Sequence, residues 1–561
     1  MSRSFASYFV AVFLLSVALV FPATAATPPN IILITLDSVR ADRVGRPQGL
    51  TPSFDDLAKQ SIVFQRAYSQ TPGTVSSHAT ILTGLYPQTH RVNDLGSPLA
   101  ASTPYLPDLL RSHGYRTEAI VGSVLLDPRS GMAPGFDRGF DEYVAGFQPF
   151  TTGKDGVSTR SADAVIAHVI QWLTRDTNRA FFLWVHLFDA HAPYSSSYDR
   201  GVGRDDAAMG KLLNALHSKK LFDDAIIVVA ADHGESLGSH GEETHGVFLY
   251  DETVHVPLLL KLPQNQMAAK QVKGRVRLLD IAPSILEAAG IPVPSQMQGQ
   301  SLLRIAKTTP DADQAVYSRS DYPHDAYGWS PLESWRAGKY LYIRAPKPEL
   351  YDLIADPAAT HNLAQTSKAT LDTMAAQLAA FSSHFGVAGN PTALSSSEMQ
   401  KLASLGYVGM QKSSVPVSAA AGMDPKDQIA TANQVNGAMS NLMVVKVETA
   451  LPVLQRATAS QPGAYLAHYG LGLALMQQQK YPTAIEHLHQ AIELQPDSAW
   501  AHYEMGACLV KTGDFKTAAV HLELASARLP QFREVHLLLA QCYEHLGQSK
   551  AAQVEIDKAA Q

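Results

Sequence analysis

The chain has 561 residues, more than one ordinary hydrophobic core accommodates, so two or three domains are expected. With 46% hydrophobic and 17% charged residues it reads as a folded sequence rather than a disordered one. A net charge of −6 argues against nucleic acid as a partner.

In chain order, the first feature is a positive start at Arg3, an apolar run ending at Phe21, and the small-residue stretch Ala23-Thr24-Ala25. That is the pattern of a secretory signal peptide, taken as residues 1–25, and the expected location is periplasmic or secreted. The run is shorter than the about 20 residues that a membrane helix needs, so no stable membrane span is expected. Left uncleaved, the same segment would act as a membrane anchor.

From residue 26 to about residue 410 the pattern alternates. Asn30 to Leu36 (NIILITL), Ala180 to Leu187, Ala225 to Ala231 and Val256 to Leu262 are continuous apolar runs, as strands buried on both faces require. Helix-like stretches at Thr103 to His113, Ser161 to Thr174 and Ala207 to Ser218 lie between them. The alternation predicts an α/β domain with a mostly parallel central sheet. Asp37, the stretch from His186 to His191, and Asp232-His233 each sit at or just after a strand run. Ligands gather at the carboxyl ends of strands in open α/β sheets, so one site is expected there.

Residues Ser395 to Met423 read as a boundary, with a linker over 411–427 that is rich in small and polar residues. Beyond it, over 428–561, Pro462, Pro496 and Pro530 recur at a step of 34. Ala450, Ala484, Ala518 and Ala552 keep the same step, as do Tyr469 and Tyr503, and Gly472 and Gly506. This resembles the tetratricopeptide repeat, and about four copies of an all-α solenoid are implied. Cys508 and Cys542 are also 34 apart, which reads as two equivalent buried thiols rather than a disulfide.

Asp37, Asp232 and His233 supply hard oxygen and imidazole donors suited to a divalent cation (Zn, Mn, Ca or Mg), though a lone Asp at a strand end can equally be a helix cap. His240 and His245 stand in the glycine-rich loop that follows. Thr74, Ser76 and Ser77 open a helix-like run after Gly73, where a hydroxyl is either an N-cap or a nucleophile beside dipoles that favour an anion. His186 reads either as a packed strand-end histidine or as a ligand.

Taken together, LDSVRADRVG, TPGTVSSHATILTGLYP, GFDRGFDEY, FFLWVHLFDAHAPY and DHGESLGSHGEETHG resemble, in order, the sulfatase-like branch of the alkaline phosphatase superfamily. The resemblance runs from about Pro29 to Gly409. It implies a metal-dependent ester hydrolase with an anionic ester substrate. Asp37, Asp232 and His233 fall on metal ligands, and Thr74 falls on the nucleophile, itself a metal ligand. His191 and His245 fall on substrate-contacting and proton-transfer positions. One divalent metal is expected ahead of two, with His186, Asp189, His78 and Arg40 as candidates for a second metal or for substrate.

Several departures stand out. Thr74 cannot become the formylglycine of sulfatases, and His78 replaces the arginine of their C-x-P-x-R pattern. The paired Asp-Asp is Asp37-Ser38, the G-K-W-H-type run is Gly122-Ser123-Val124-Leu125, and His245 replaces a lysine. These differences place phosphate or phosphonate esters ahead of sulfate esters as the expected substrates. A sulfuric ester hydrolase, a phosphoethanolamine-type transferase acting on cell-envelope acceptors, and a repeat-based binding protein with an inactive hydrolase domain are the alternatives. The repeats are expected either to hold a protein or peptide partner or to pack against the hydrolase domain.

Overall fold

Six consecutive buried residues, Ile31–Leu36 (β1), all apolar except Thr35, form a central strand of an eight-stranded sheet. The computed structural model describes residues 28–45, 49–93, 95–147, 159–175, 179–192, 194, 197–308, 311–385, 394–405, 422–443 and 446–560. The signal segment and residues 411–421 of the linker lie outside the described residues.

The other strands are β2 (Ile62–Tyr68), β3 (Arg116–Ile120), β4 (Glu142–Val144), β5 (Phe181–Leu187), β6 (Ile226–Ala231), β7 (His255–Lys261) and β8 (Gln271–Arg277). They are ordered β4-β3-β5-β1-β6-β7-β2-β8. Only β7 runs against its neighbours β6 and β2, so the sheet is mixed and mostly parallel, as expected. Every residue of β1, β5 and β6 is buried, because connecting segments cover both faces of this part of the sheet. β2 and β8 escaped the sequence reading because polar and charged residues interrupt their apolar pattern. The same holds for a second, antiparallel sheet of β9 (Val316–Ser320), β10 (Leu332–Ala337), β11 (Tyr340–Arg344) and β12 (Glu349–Asp352).

The helix expected from Ala207 begins at Tyr198, where Ser197 accepts a cap bond from Arg200 N. Its two early glycines weaken the local helix signal. Gly201 is required there, since a β-carbon would sit 2.3 Å from the Asp189 carbonyl oxygen. Within the boundary stretch, Ser396–Ser404 is helical, not linker, and its capping box joins Ser395 to Glu398. Glu398 pairs with Arg528, and Lys401 with Glu523, so this helix is pinned to the repeats.

The first repeat helix starts at Pro425, three residues before the expected boundary, because Asp424 accepts from Lys426 N and ties that end to Lys347 N. Four helix pairs follow: Pro425–Met443 with Val447–Ser460, Tyr465–Gln477 with Tyr481–Leu494, Ala499–Thr512 with Phe515–Ser526, and Arg533–His545 with Ser549–Ala559. The proline column has a partner: His502 Nε2 donates to the Pro496 carbonyl, and His536 Nε2 repeats the bond to Pro530 one repeat later. Cys508 and Cys542 are free and buried, and burial pushes their thiols up to about 12 and about 11.

Turns at one edge of the array rest on the α/β domain. Trp329 Nε1 donates to Gln461 Oε1 at 2.9 Å, and Gln531 Nε2 donates to Asp137 Oδ2 at 2.8 Å. Trp500 and Leu529 cover Gly131. Among the described residues, no helix is long and apolar enough to cross a membrane.

The conserved step of the repeat has a packing cause. A β-carbon at Gly506 would meet Leu522 Cγ at 2.5 Å. Gly506→Ala gains about 1 kcal/mol of helix propensity but overpacks a buried contact at about 1–3 kcal/mol. A net loss of about 1 kcal/mol is expected in denaturant unfolding of the full chain; an unchanged or raised midpoint would contradict this packing.

Candidate active site

The register of three neighbouring strands brings the site together. Leu36 pairs with Leu187 on one side and Ala231 on the other, so the next residues, Asp37 and Asp232, emerge at one level. The ladder continues one step further, with Asp37 N donating to Leu187 O and Asp232 N to Leu36 O. The helix Thr74–Thr83 then points its first turn into the same place, after β2 and an extended Gly73. Ser77 Oγ donates to the Asp232 carbonyl at 2.6 Å and fixes that helix over the strand ends.

Thr74 Oγ1 lies 3.3 Å from Asp37 Oδ2 and 3.1 Å from His233 Nε2. His233 Nδ1 donates to the Gly234 carbonyl at 2.9 Å, which leaves the Nε2 lone pair facing Thr74. Burial holds His233 down to about 3, so it is neutral, as a metal ligand must be. Gly234 is needed because the chain crosses close to Glu252, whose carbonyl oxygen would lie 2.1 Å from a β-carbon there.

The donor atoms of Asp37, Asp232 and His233 all lie within 4.8 Å of one another, and the three residues are buried. Asp232 Oδ1 accepts from Ser38 N and His233 N, whereas Asp232 Oδ2 is buried without a hydrogen-bond partner. Burial works against ionisation of Asp37, but its bond to His186 and the imidazoles of His191 and His233 hold its carboxyl below the usual range. Burial, and then the charge of Asp37, push the Asp232 carboxyl well above it. Two buried carboxylates, one orphaned oxygen and a neutral imidazole fit a divalent cation, whose charge would resolve that conflict.

His186 Nε2 is 3.2 Å from Asp37 Oδ2, so His186 belongs to this cluster; its Nδ1 is buried and unpartnered. His78 is buried and committed, with Nδ1 on the Thr74 carbonyl at 2.8 Å and Nε2 on Thr35 Oγ1 at 3.0 Å. His78 locks the helix that carries Thr74, and with His186 and Asp232 it forms a second buried group of donors, all within 4.8 Å of one another, that could hold a metal ion.

Asp189 is turned away from the cluster, because Ala162 N and Arg204 Nε occupy its two oxygens. Arg40 is likewise turned aside, bound to Asp42 and to the Glu235 carbonyl. Neither belongs to the buried donor groups around Asp232.

His191 stacks on Phe188 and meets His245 edge-on at 5.2 Å, and His245 lies 4.3 Å from His233, ring to ring. His245 Nδ1 is 3.0 Å from Glu235 Oε1, and Tyr194 OH donates to Glu235 Oε2 at 2.9 Å. Burial pulls the His245 imidazolium down, yet the Glu235 carboxylate outweighs it and the group stands above its ordinary value. The sequence reading missed Glu235 and Tyr194, and it took Ser38 only as a departure from a paired Asp-Asp. Glu235 lies in the same short block as Asp232-His233. Ser38 Oγ donates to Asp37 Oδ1 at 2.7 Å from a left-handed backbone (φ 59°), which leaves Asp37 Oδ2 free for Thr74 and His186.

Comparison with known proteins identifies the two parts of the chain. Residues 29–291 match the model described as Sulfatase, and residues 241–383 match that of N-sulphoglucosamine sulphohydrolase, C-terminal. Residues 472–513 and 509–561 match TPR repeat and tetratricopeptide repeat models. This chain carries a sulfatase-family domain of the alkaline phosphatase superfamily, followed by tetratricopeptide repeats. The sulfatase-family domain is that of an ester hydrolase.

An ulvan-active sulfatase of Formosa agariphila is 26% identical over 398 residues, 60% of this chain and 77% of that one. Arylsulfatase K of Rattus norvegicus is 33% identical over 171 residues, 28% of this chain and only 30% of that one. The crystal structure of a phosphonate monoester hydrolase of Agrobacterium radiobacter aligns with a TM-score of 0.52 at 21% identity, over 64% of this chain and 96% of that one; it shows the shared fold.

A cation bound at a hundred times its dissociation constant would stabilise the fold by about 2.7 kcal/mol. Titrating Zn, Mn, Ca or Mg into chelator-treated protein is expected to raise the melting temperature. Asp232→Asn should lose most of that rise while leaving the chelated protein at least as stable, since it removes a buried like-charge pair. Equal rises in both proteins would show that the cation binds elsewhere.

Proposed function

We propose that the sulfatase-family domain hydrolyses monoanionic sulfuric esters with Thr74 as nucleophile. The observation that carries the nucleophile is the convergence of Thr74 Oγ1 with Asp37 Oδ2 and His233 Nε2 at the N-terminus of a buried helix. The choice of sulfuric esters follows the curated relatives above, both named sulfatases, and replaces the expectation that phosphorus esters rank first. The charge of the site supports a monoanion. Among the described residues, no lysine or arginine hydrogen-bonds or ion-pairs with Asp37, Thr74, Asp232 or His245.

A divalent cation held by Asp37, Asp232 and His233 would supply the positive charge that favours the Thr74 alkoxide and the transferring group. The chain's own residues do the rest. Thr74 Oγ1 loses its proton to solvent and attacks sulfur in line, and the S–O bond to the alcohol breaks. His245, held by Glu235, gives its proton to the departing oxygen. Water then attacks the sulfo-threonine; one of its protons returns to His245, the other restores the Thr74 hydroxyl as the S–O bond to it breaks, and sulfate leaves. His191, stacked on Phe188, lines the approach. The segment over 1–25 supports action outside the cytoplasm.

A second reading is hydrolysis of phosphonate monoesters or phosphodiesters, which are also monoanions. A hydroxyl that cannot become formylglycine supports it, as does the likeness to a phosphonate monoester hydrolase fold.

The test is a panel of 4-nitrophenyl sulfate, phosphate, phenylphosphonate and a diester, assayed with metal-loaded wild type, Thr74→Ala and Thr74→Ser. Sulfate turnover that falls at least about a thousand-fold in Thr74→Ala and partly survives in Thr74→Ser is expected. Turnover of the phosphonate or diester with none of the sulfate would select the second reading. Full activity in Thr74→Ala would remove Thr74 from the chemistry.

A further inference from the structure

The loop that carries His245 contains strained backbone. Leu237 (φ 54°) and His240 (φ 54°) are non-glycine residues in the left-handed region, and Gly238, Gly241 and Gly246 also have positive φ. Such residues persist only where their surroundings hold them. Inside the hydrolase domain Ser236 N donates to Thr244 O, Gly238 N to Glu242 O, Val247 N and Phe248 N to Glu242, and Ser320 Oγ to the Gly246 carbonyl, while His240 stacks on Tyr250. The outer side of the loop, at Gly241 and Glu243, faces the first helix of the repeats.

That helix meets the loop with one stripe. Ile429, Asn433 and Asn436 are spaced by four and three residues, so they share a face of Pro425–Met443. Ile429 packs over Gly241. Asn433 makes a reciprocal pair with the loop backbone: Glu243 N donates to its Oδ1 at 3.1 Å, and its Nδ2 donates to the Gly241 carbonyl at 2.7 Å. Asn436 Oδ1 accepts from Tyr322 OH at 2.6 Å and Tyr327 OH at 2.7 Å, and the Tyr322 ring covers Gly246, the residue after His245.

We infer that Asn433 is a positioning residue: through its two bonds to Gly241 and Glu243, the repeat array sets the loop that aims His245 at the departing oxygen. The repeats then complete the hydrolase instead of hanging from it as a separate module. The inference rests on the reading of His245 as the proton donor. An asparagine side chain offers one donor and one acceptor, which suits it to clamp a backbone C=O and N–H together. Alanine leaves both backbone groups to water and frees the loop.

The experiment compares an aryl ester, whose leaving group departs without a proton, with an alkyl ester of the same acid, whose leaving group needs one. Full-length, metal-loaded wild type, Asn433→Ala, Gln461→Ala and His245→Ala are assayed on both. Gln461→Ala removes a different repeat-to-hydrolase bond, the one to Trp329 at the end of the first repeat, and serves as the control for general loosening.

The expected result is a fall of about ten-fold or more in kcat on the alkyl ester for Asn433→Ala, with KM and the aryl rate within about two-fold of wild type. His245→Ala should show the same bias, larger, and Gln461→Ala should show none. Equal loss on both esters in Asn433→Ala, or the same bias in Gln461→Ala, means general structural damage and overturns the inference. Bias in His245→Ala but not in Asn433→Ala overturns the inference alone. No bias in His245→Ala removes His245 as the proton donor and overturns both.

Discussion

The structure turns on the cost of two carboxylates buried side by side. Asp37 and Asp232 leave the ends of adjacent parallel strands at the same register, where neither meets water. An uncompensated pair of this kind would be expelled from a core or protonated. The fold instead surrounds it with the neutral imidazole of His233, with Ser38, and with the hydroxyl of Thr74. It leaves one oxygen of Asp232 without a partner. The sheet order, the burial of β1, β5 and β6, and the Ser77 bond that docks the Thr74 helix all serve to hold that arrangement.

Much of this was legible in the residues, for a physical reason. Strands buried on both faces must be apolar throughout, so β1, β5 and β6 announce themselves, and the polar residues just after them mark the site. The helix pairs were legible because a stacked array repeats its packing contacts at a fixed step, as Gly472 and Gly506 do against Leu488 and Leu522. Strands with a mixed face were not legible. In β8, Arg275 and Arg277 look like surface residues in sequence, yet they are buried against Asp313, Asp280 and Tyr86.

Within the site, the acids behaved unlike their spacing. Asp189 stands close to His186 and His191 in sequence, but a strand end turns there, and the carboxylate caps Ala162 N and meets Arg204. Glu235, three residues past Asp232, turns inward to His245. Which way an acid faces is decided by partners far away in the chain, such as Tyr194 for Glu235, and periodicity carries no record of them. The docking of the repeats was open for the same reason: the residues that carry it, Asn433, Asn436 and Gln461, are ordinary polar residues of helices until Gly241, Tyr322 and Trp329 are placed beside them.

The most direct test of the account is whether Thr74 becomes covalently modified. Rapid acid quench of the metal-loaded protein during turnover of an aryl ester, followed by peptide mass mapping, reads this at one residue. The account predicts that the peptide containing Thr74 carries one transferred sulfo or phosphono group during turnover, that the group maps to the Thr74 hydroxyl, and that it disappears once the ester is consumed. Steady turnover with that peptide unmodified, or with the group on another residue, would contradict it.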